Sequence, residues 1–333
     1  MINVAINGFG RIGRMVFRAG YKDKKINFVA INDLTDTKNL AHLLQYDSVH
    51  GPLLERVTYT KNSLIIGNKK VHVFAEKDPT CLPWKKYNVD VVVESTGLFR
   101  AYDDAKKHLQ AGATKVLLSA NCKNDDTGKI KTLIKGVNLE IYNKSKDHIV
   151  SKGSCTTTCL SPIVKVLHDA LGIERGFMTT VHSVTNTQRI LDAPHKDLRE
   201  ARSILNNIIP TETGAAVAVT RVIPALKSHI DGMAMRVPTQ DGSIVDFTCI
   251  VKKNTSVEEV NKIFKNASTK SMKGIIQYSE EELVSTDIIG NPYSAIFDSK
   301  LTKVDGRMVK ILAWYDNEWG YSSRMVDMIK FMF

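Results

Sequence analysis

The sequence predicts an α/β protein whose N-terminal half forms a doubly wound parallel sheet and whose C-terminal half is an α+β domain with a mainly antiparallel sheet. Up to about residue 120, short apolar runs of strand length alternate with segments of helical periodicity, a pattern typical of parallel sheets. Beyond residue 155, longer runs alternate between apolar and polar positions, as strands with one exposed face do. These patterns predict a first domain over residues 1–150, joined by a C-terminal helix at 317–333, and a second domain over residues 151–316.

The composition suits a globular protein of two domains, with 43% hydrophobic and 24% charged residues in a chain of 333. No apolar run approaches the roughly 20 residues of a membrane span, and no signal peptide is expected. Five cysteines without short metal-type spacings favour a reducing cytoplasm and no metal site. The net charge of +11 is typical of a lysine-rich solvated surface, and it also favours phosphorylated small molecules or nonspecific nucleic acid as partners.

A glycine-rich turn follows the first predicted strand, Ile2 to Ile6, and opens a helix. In it, Gly8 permits a tight turn, Gly10 lets backbone approach a pyrophosphate, and Gly13 lets the helix pack on the strand. The N–H groups at the start of the helix then receive the negative charge. Strand, glycine turn and helix together predict a Rossmann-type dinucleotide site.

Asp33 follows the second predicted strand, Ile26 to Ile31, and lies 20 residues after Gly13. A carboxylate at this distance accepts hydrogen bonds from the adenosine ribose and repels a 2′-phosphate, which favours NAD over NADP. Considered alone, Asp33 is better explained as a loop residue or a helix cap.

The remaining elements of this half continue the alternation. A helix is predicted near 40–44 and 101–111, and strands at 54–59, 63–66, 69–74, 89–93 and 114–118. Ligands bind beyond the carboxyl ends of parallel strands, where the glycine turn, Asp33, Thr96 and Ser119 fall.

Cys155 lies where a short apolar strand at 149–150 turns into a helix that continues through 161–171. The free N–H groups and partial positive charge of a helix N-terminus favour a thiolate, which makes Cys155 a candidate nucleophile. A buried structural cysteine is the alternative.

His182 ends a strand predicted at 176–181, and a long polar segment, 184–207, follows it. Ile208 to Gly214 then leads into a helix rich in alanine and valine, and further strands are predicted at 233–237, 243–251 and 308–314 with a helix at 257–267. Arg236 has apolar neighbours in its strand and is expected to need an anionic partner. His182 is a candidate base, or else a histidine whose hydrogen bonds are purely structural.

Taken together and in this order, the motifs resemble those of phosphorylating glyceraldehyde-3-phosphate dehydrogenases of the bacterial, NAD-dependent type. They comprise Gly8-Phe9-Gly10-Arg11-Ile12-Gly13-Arg14, Ser154-Cys155-Thr156-Thr157, Thr179-Thr180-Val181-His182, Thr213-Gly214-Ala215-Ala216 and the run from Trp314 to Tyr321. The resemblance implies a cytoplasmic homotetramer that converts glyceraldehyde 3-phosphate, inorganic phosphate and NAD into 1,3-bisphosphoglycerate in glycolysis. It also implies that Cys155 forms a thiohemiacetal and then a thioester.

The resemblance assigns the site residues as follows. Cys155 and His182 would be catalytic. Substrate or phosphate contacts would come from Ser154, Thr156, Thr185, Thr213, Gly214 and Arg236. Cofactor contacts would come from Gly8, Gly10, Arg11, Ile12, Gly13, Asp33, Lys77, Ser119 and Asn317.

Several positions depart from the family's usual residues, namely Lys152, Thr158, Thr187 and Glu200. Lys152 is interpreted as a solvated lysine, or as an ammonium that lowers the pKa of Cys155. The departures leave open an erythrose-4-phosphate dehydrogenase, in which water replaces phosphate as acyl acceptor. A secondary role in nucleic-acid binding is also left open by the charge.

Overall fold

The computed structural model describes residues 1–123 and 128–333. The chain divides into two compact units. The first unit comprises Met1–Leu133, Glu140–Gly153 and Ser322–Phe333, and the second comprises Ile134–Leu139 and Ser154–Tyr321.

The first unit contains a sheet of nine strands within the described residues. The strands are β1 (Ile2–Asn7), β2 (Ile26–Asn32), β3 (Val57–Thr60), β4 (Ser63–Ile66), β5 (Lys69–Phe74), β6 (Val91–Glu94), β7 (Lys115–Leu118), β8 (Lys131–Thr132) and β9 (Ile149–Ser151), and the helices are α1 (Arg11–Gly20), α2 (Thr37–Gln45) and α3 (Tyr102–Gln110). The spatial order is β3-β4-β5-β2-β1-β6-β7-β9-β8. The strands from β5 to β8 pair in parallel, whereas β3 and β4 form an antiparallel edge.

The central strands of this sheet are buried because residues on both of their faces are covered. All four residues of β6, Val91 to Glu94, are buried, as are all four of β7. Such apolar, β-branched runs are typical of parallel strands with helices on both sides. The predicted doubly wound parallel sheet is confirmed.

The second unit contains a sheet of seven strands within the part of the chain that is described. Its strands are β10 (Ile173–His182), β11 (Ile209–Glu212), β12 (Ile230–Arg236), β13 (Ser243–Val251), β14 (Ile276–Ser279), β15 (Ala295–Asp305) and β16 (Met308–Tyr315), and its helices are α4 (Cys155–Leu171), α5 (Ala215–Val222) and α6 (Val257–Thr269). The order is β11-β12-β10-β13-β16-β15-β14. Two pairs, β10–β12 and β14–β15, are parallel and the others antiparallel, so the predicted mainly antiparallel sheet is also confirmed.

Helix α4 passes through the core of the second unit, and this position explains its composition. It contacts α5, α6 and the strands β13, β15 and β16, so residues on every side of it are buried. Because a helix surrounded by protein needs no polar face, α4 lacks the usual amphipathic pattern over much of its length. Its first turn therefore holds Cys155 on a rigid, packed element.

The last helix, α7 (Trp319–Phe331), begins in the second unit, and Ser322–Phe333 belongs to the first. Within the first unit, Lys330 Nζ lies 2.9 Å from Asp23 Oδ2. Among the described residues, none of the helices combines the length and the apolar character that crossing a membrane requires.

Candidate active site

Ser154 caps the helix that begins at Cys155. Its Oγ accepts a hydrogen bond from the Thr157 N–H at 3.1 Å, and this bond satisfies one donor of the first turn. The Thr158 hydroxyl donates to the Ser154 carbonyl at 2.9 Å. The cap therefore fixes the position of Cys155, the first residue of α4.

The thiol of Cys155 faces the imidazole of His182. Cys155 Sγ lies 3.3 Å from His182 Nε2, because β10 ends at His182 where α4 begins. His182 is 3% exposed, so water has little access to its ring. A nucleophile within hydrogen-bond reach of a base is the arrangement that covalent catalysis requires.

The other ring nitrogen, His182 Nδ1, lies between a carbonyl acceptor and a guanidinium donor. It is 2.8 Å from the Ser183 carbonyl oxygen and 2.6 Å from Arg236 Nη1. With its proton on Nδ1, the ring bonds to Ser183 and presents a lone pair on Nε2 to the thiol. With a lone pair on Nδ1, the ring accepts from Arg236 and presents an N–H to sulfur. The site thus supports both the base form and the donor form of a neutral imidazole.

Burial keeps this pair uncharged. Burial, together with the nearby Arg236 charge, lowers the pKa of His182 to about 3. Burial also raises the pKa of Cys155, although Arg236 and the Thr156 N–H act in the opposite direction. The helix terminus was expected to favour a thiolate, but burial raises the pKa of the Cys155 thiol by more than the Thr156 N–H and Arg236 lower it.

We expect His182 to make the protein less stable in acid. An unfolded histidine binds a proton below about pH 6.5, whereas folded His182 stays neutral down to about pH 3. Between these values the unfolded chain binds more protons, so the free energy of unfolding should fall as the pH falls through this window. Urea unfolding at a series of pH values should show a smaller slope for His182→Asn than for the wild type. Equal slopes would contradict the assignment.

Tyr315 packs against His182 and bonds to the residue after Cys155, and its role was not predicted from the sequence. Its hydroxyl bonds to the Oγ1 atoms of Thr156 at 2.9 Å and Thr180 at 2.8 Å. Its ring packs edge-on against His182, with 5.9 Å between ring centroids. Tyr315 joins β16 to α4 and β10, which carry the two reactive groups, and the signal for it was its place in the motif that begins at Trp314.

Arg236 lies against His182 and is suited to bind an anion. Its Nη1 contacts His182 and the Ser183 carbonyl, whereas its buried Nε has no hydrogen-bond partner among the described residues. A buried guanidinium N–H without an acceptor is costly, and a phosphate oxygen would satisfy it.

The other predicted phosphate residues make local contacts. Thr185 bonds through its N–H and its hydroxyl to Gln188 Oε1, both at 2.9 Å. Thr213 Oγ1 accepts from the Ala215 N–H at 3.2 Å, and Gly214 is the N-cap of α5.

The departures from the family pattern have structural explanations. Glu200 accepts a hydrogen bond from the Thr211 hydroxyl at 2.5 Å, and its other oxygen lies 3.7 Å from His195 Nε2. Thr187 Oγ1 accepts from Gln188 Nε2 at 3.0 Å. Lys152 is fully buried, so its interpretation as a solvated lysine is wrong.

Asn317 is held by two serine hydroxyls. Its Oδ1 accepts from Ser183 Oγ at 2.8 Å and from Ser243 Oγ at 2.7 Å. Since these bonds occupy the carbonyl oxygen, the amide nitrogen is the group that Asn317 offers to a ligand carbonyl.

The glycine turn of the first unit has the shape that a dinucleotide needs. Gly8 has φ +88°, and a Cβ there would lie 2.7 Å from the Thr96 nitrogen, while a Cβ at Gly13 would lie 2.2 Å from the Gly8 oxygen. A Cβ at Gly10, by contrast, would meet no atom within 4 Å. Gly10 also precedes α1 without a side-chain cap. The turn thus leaves open space in front of a helix N-terminus, which fits a pyrophosphate.

Asp33 closes this turn. Its Oδ2 accepts from the Phe9 N–H at 2.8 Å and its Oδ1 from the Thr35 N–H at 3.0 Å, so the carboxylate is held beside the glycine loop. Each oxygen retains capacity for a ribose hydroxyl.

Arg11, at the start of α1 beside Ile12, uses its side chain for an ion pair with Asp47 at 2.5 Å. Burial alone would raise the pKa of Asp47, but the His50 N–H and Arg11 together lower it to about 2.

Two further residues were assigned to the cofactor. Lys77 is exposed, and the Ser119 N–H donates to the Glu94 carbonyl at 3.0 Å.

Comparison with known proteins agrees with both units. Residues 2–102 match the NAD binding domain of glyceraldehyde 3-phosphate dehydrogenase, and residues 154–317 match its C-terminal domain. The chain is 54% identical over 332 residues to glyceraldehyde-3-phosphate dehydrogenase of Geobacillus stearothermophilus, covering 99% of this chain and 98% of the relative. It is 56% identical over 335 residues to that of Thermotoga maritima, covering 100% and 99% of the two chains. The chain therefore belongs to the glyceraldehyde-3-phosphate dehydrogenase family, and its first domain is an NAD-binding domain.

Proposed function

We propose that this protein oxidises D-glyceraldehyde 3-phosphate and captures the product as 1,3-bisphosphoglycerate with inorganic phosphate. The observation that carries the proposal is the Cys155 thiol at 3.3 Å from a buried, neutral His182. Arg236, with its unpartnered Nε, lies against the same imidazole. Nucleophile, base and anion anchor are thus adjacent.

Cys155 Sγ bonds to the aldehyde carbon while His182 Nε2 takes the thiol proton and passes it to the former carbonyl oxygen, which gives a thiohemiacetal on the enzyme. NAD, when bound, supplies the hydride acceptor for the oxidation. His182 Nε2 then takes the hydroxyl proton as the carbon becomes the acyl carbon of a Cys155 thioester. An oxygen of phosphate then attacks the thioester carbon, the carbon–sulfur bond breaks, and the proton held by His182 returns to the Cys155 sulfur.

Two phosphate groups must be bound, the phosphate of the substrate and the attacking inorganic phosphate. Arg236 and Thr185 bind the phosphate of the substrate, and Thr213 with Gly214 at the start of α5 binds the attacking phosphate, assisted by Ser154 and Thr156. Glu200 does not oppose this role, because Thr211 and His195 occupy its carboxylate.

In the first unit, the pyrophosphate is held by the glycine turn of Gly8, Gly10 and Gly13 and by the N–H groups of Arg11 and Ile12. The adenosine ribose is held by Asp33. Further contacts come from Lys77 and Ser119, and the Asn317 amide binds the carboxamide of the cofactor. We further propose that the protein acts as a homotetramer in the cytoplasm, as the family resemblance implies.

The reaction is tested by following NADH formation from glyceraldehyde 3-phosphate with and without phosphate or arsenate. Turnover that depends strongly on the anion supports phosphate as acyl acceptor. Turnover that does not respond to the anion would mean that water resolves the thioester, as in an erythrose-4-phosphate dehydrogenase.

Replacing Asp33 with asparagine should weaken the preference for NAD. The amide can still accept from the Phe9 N–H, but the charge that repels a 2′-phosphate is gone, so the ratio of kcat/KM for NADP over NAD should rise about tenfold. Initial rates with each cofactor give this ratio. An unchanged ratio in Asp33→Asn would show that another residue excludes NADP.

A further inference from the structure

A chain of buried polar groups lies inside the first unit, and the proposed reaction makes no use of it. Its centre is His108 on α3, which is fully buried between Trp84 and Glu94. Trp84 Nε1 lies 3.1 Å from His108 Nδ1, and His108 Nε2 lies 3.1 Å from Glu94 Oε2. Because the indole N–H can only donate, His108 Nδ1 accepts this hydrogen bond. The neutral ring then has its N–H at Nε2, which donates a hydrogen bond to Glu94.

Glu94, which ends β6 and is 2% exposed, is held on both oxygens. Its Oε2 also accepts from Asn7 Nδ2 at 2.6 Å. Its Oε1 accepts from the Thr96 N–H at 2.8 Å and from the Thr96 hydroxyl. A buried carboxylate is tolerable only when donors surround it. Here the donors come from three segments: Asn7 at the end of β1, Thr96 in the loop after β6, and His108 on α3.

The chain continues from Asn7 to the next strands of the sheet. Asn32 Nδ2 donates to Asn7 Oδ1 at 2.7 Å and to the Glu76 carbonyl at 2.9 Å, and Asn32 Oδ1 accepts from the Glu76 N–H at 2.8 Å. The hydrogen bonds therefore run from the end of β1 to the end of β2 and to the loop after β5.

These strand ends carry the loops that the cofactor requires. Asn7 precedes the glycine turn, Asn32 precedes Asp33, and Glu76 precedes Lys77. The Thr96 backbone is the wall against which Gly8 packs. One buried carboxylate thus links all of these loops to a single histidine.

We propose that His108, acting through Glu94, is a positioning residue for NAD: it fixes the loops after β1, β2, β5 and β6 in their binding geometry without touching the cofactor. The inference rests on NAD binding by this domain and not on the aldehyde reaction. Loss of the His108 N–H leaves Glu94 short of a donor, and loss of its Nδ1 leaves the buried Trp84 N–H without an acceptor. Glu94 then shifts, and Thr96 and Asn7 shift with it.

The test compares three variants of the full chain. His108→Leu removes both hydrogen bonds. His108→Gln keeps an acceptor oxygen and a donor amide in one side chain. Leu82→Ala is the matched control, because Leu82 packs in the same buried cluster as Trp84 but has no part in the polar chain. Calorimetric titration with NAD gives the dissociation constant, and thermal unfolding without NAD gives the stability of each variant.

We expect His108→Leu to raise the dissociation constant for NAD about tenfold, with His108→Gln near the wild type. Leu82→Ala should lower the melting temperature without changing NAD affinity. If His108→Leu and Leu82→Ala both lose stability while both bind NAD as the wild type does, the buried hydrogen bonds only stabilise the fold and the proposal fails. Because binding is measured without aldehyde or phosphate, this outcome is independent of the outcome of the turnover test.

Discussion

Cys155→Ser is expected to lower kcat by at least about four orders of magnitude, because removal of a covalent nucleophile usually costs that much or more. A serine hydroxyl is ionised far less readily than a thiol, so the same imidazole activates it much less effectively. NAD binding should be unchanged, since Cys155 is not among the residues assigned to the cofactor. NADH formation and an NAD titration measure the two properties.

The matched control is Cys159→Ser. Cys159 lies one turn along the same helix, is fully buried, and directs its Sγ to the Ala313 carbonyl at 3.9 Å. This variant should lose some stability and keep most of its kcat. Substantial NADH formation by Cys155→Ser, or equal losses in both variants, would exclude Cys155 as the nucleophile.

His182→Asn is expected to lower kcat by about 10²-fold to 10⁴-fold, the range typical of a lost general base. The resting pair is a thiol and a neutral imidazole, so the imidazole must take the thiol proton as sulfur attacks. Without it, alkylation of Cys155 by iodoacetamide near pH 7 should slow, and the rate should recover only as rising pH ionises the thiol itself.

The control for this prediction is His229→Asn, which changes an exposed histidine of the second unit that bonds to the Glu174 carbonyl. It should leave both kcat and the pH profile of alkylation unchanged. An alkylation profile of His182→Asn that coincides with the wild type would show that His182 does not accept the thiol proton.

Local motifs predicted the secondary structure around Cys155 and His182. Cys155 begins a helix and His182 ends a strand, and both positions follow from patterns of a few residues. The doubly wound sheet was equally accessible, because buried parallel strands have strong apolar runs.

Properties that depend on distant partners were not accessible from the sequence. Strand β11 was missed because its four residues, which include Pro210, form a strand only by pairing with β12. The raised pKa of Cys155 could not be predicted from the sequence, because helix-terminus effects are local, whereas burial depends on the whole fold. Lys152 likewise has the composition of a surface residue and is buried by its surroundings.

The division of the first unit into separated stretches of chain has a consequence for synthesis. Its segment Ser322–Phe333 contributes fully or nearly fully buried side chains, among them Met325, Ile329 and Met332, and follows the entire second unit in sequence. The ion pair between Lys330 and Asp23 spans 307 positions. During translation the nucleotide-binding unit therefore lacks its last segment, and the apolar surface that this segment covers stays exposed, until the second unit has been synthesised. This unit therefore cannot complete its folding before the second unit has been synthesised.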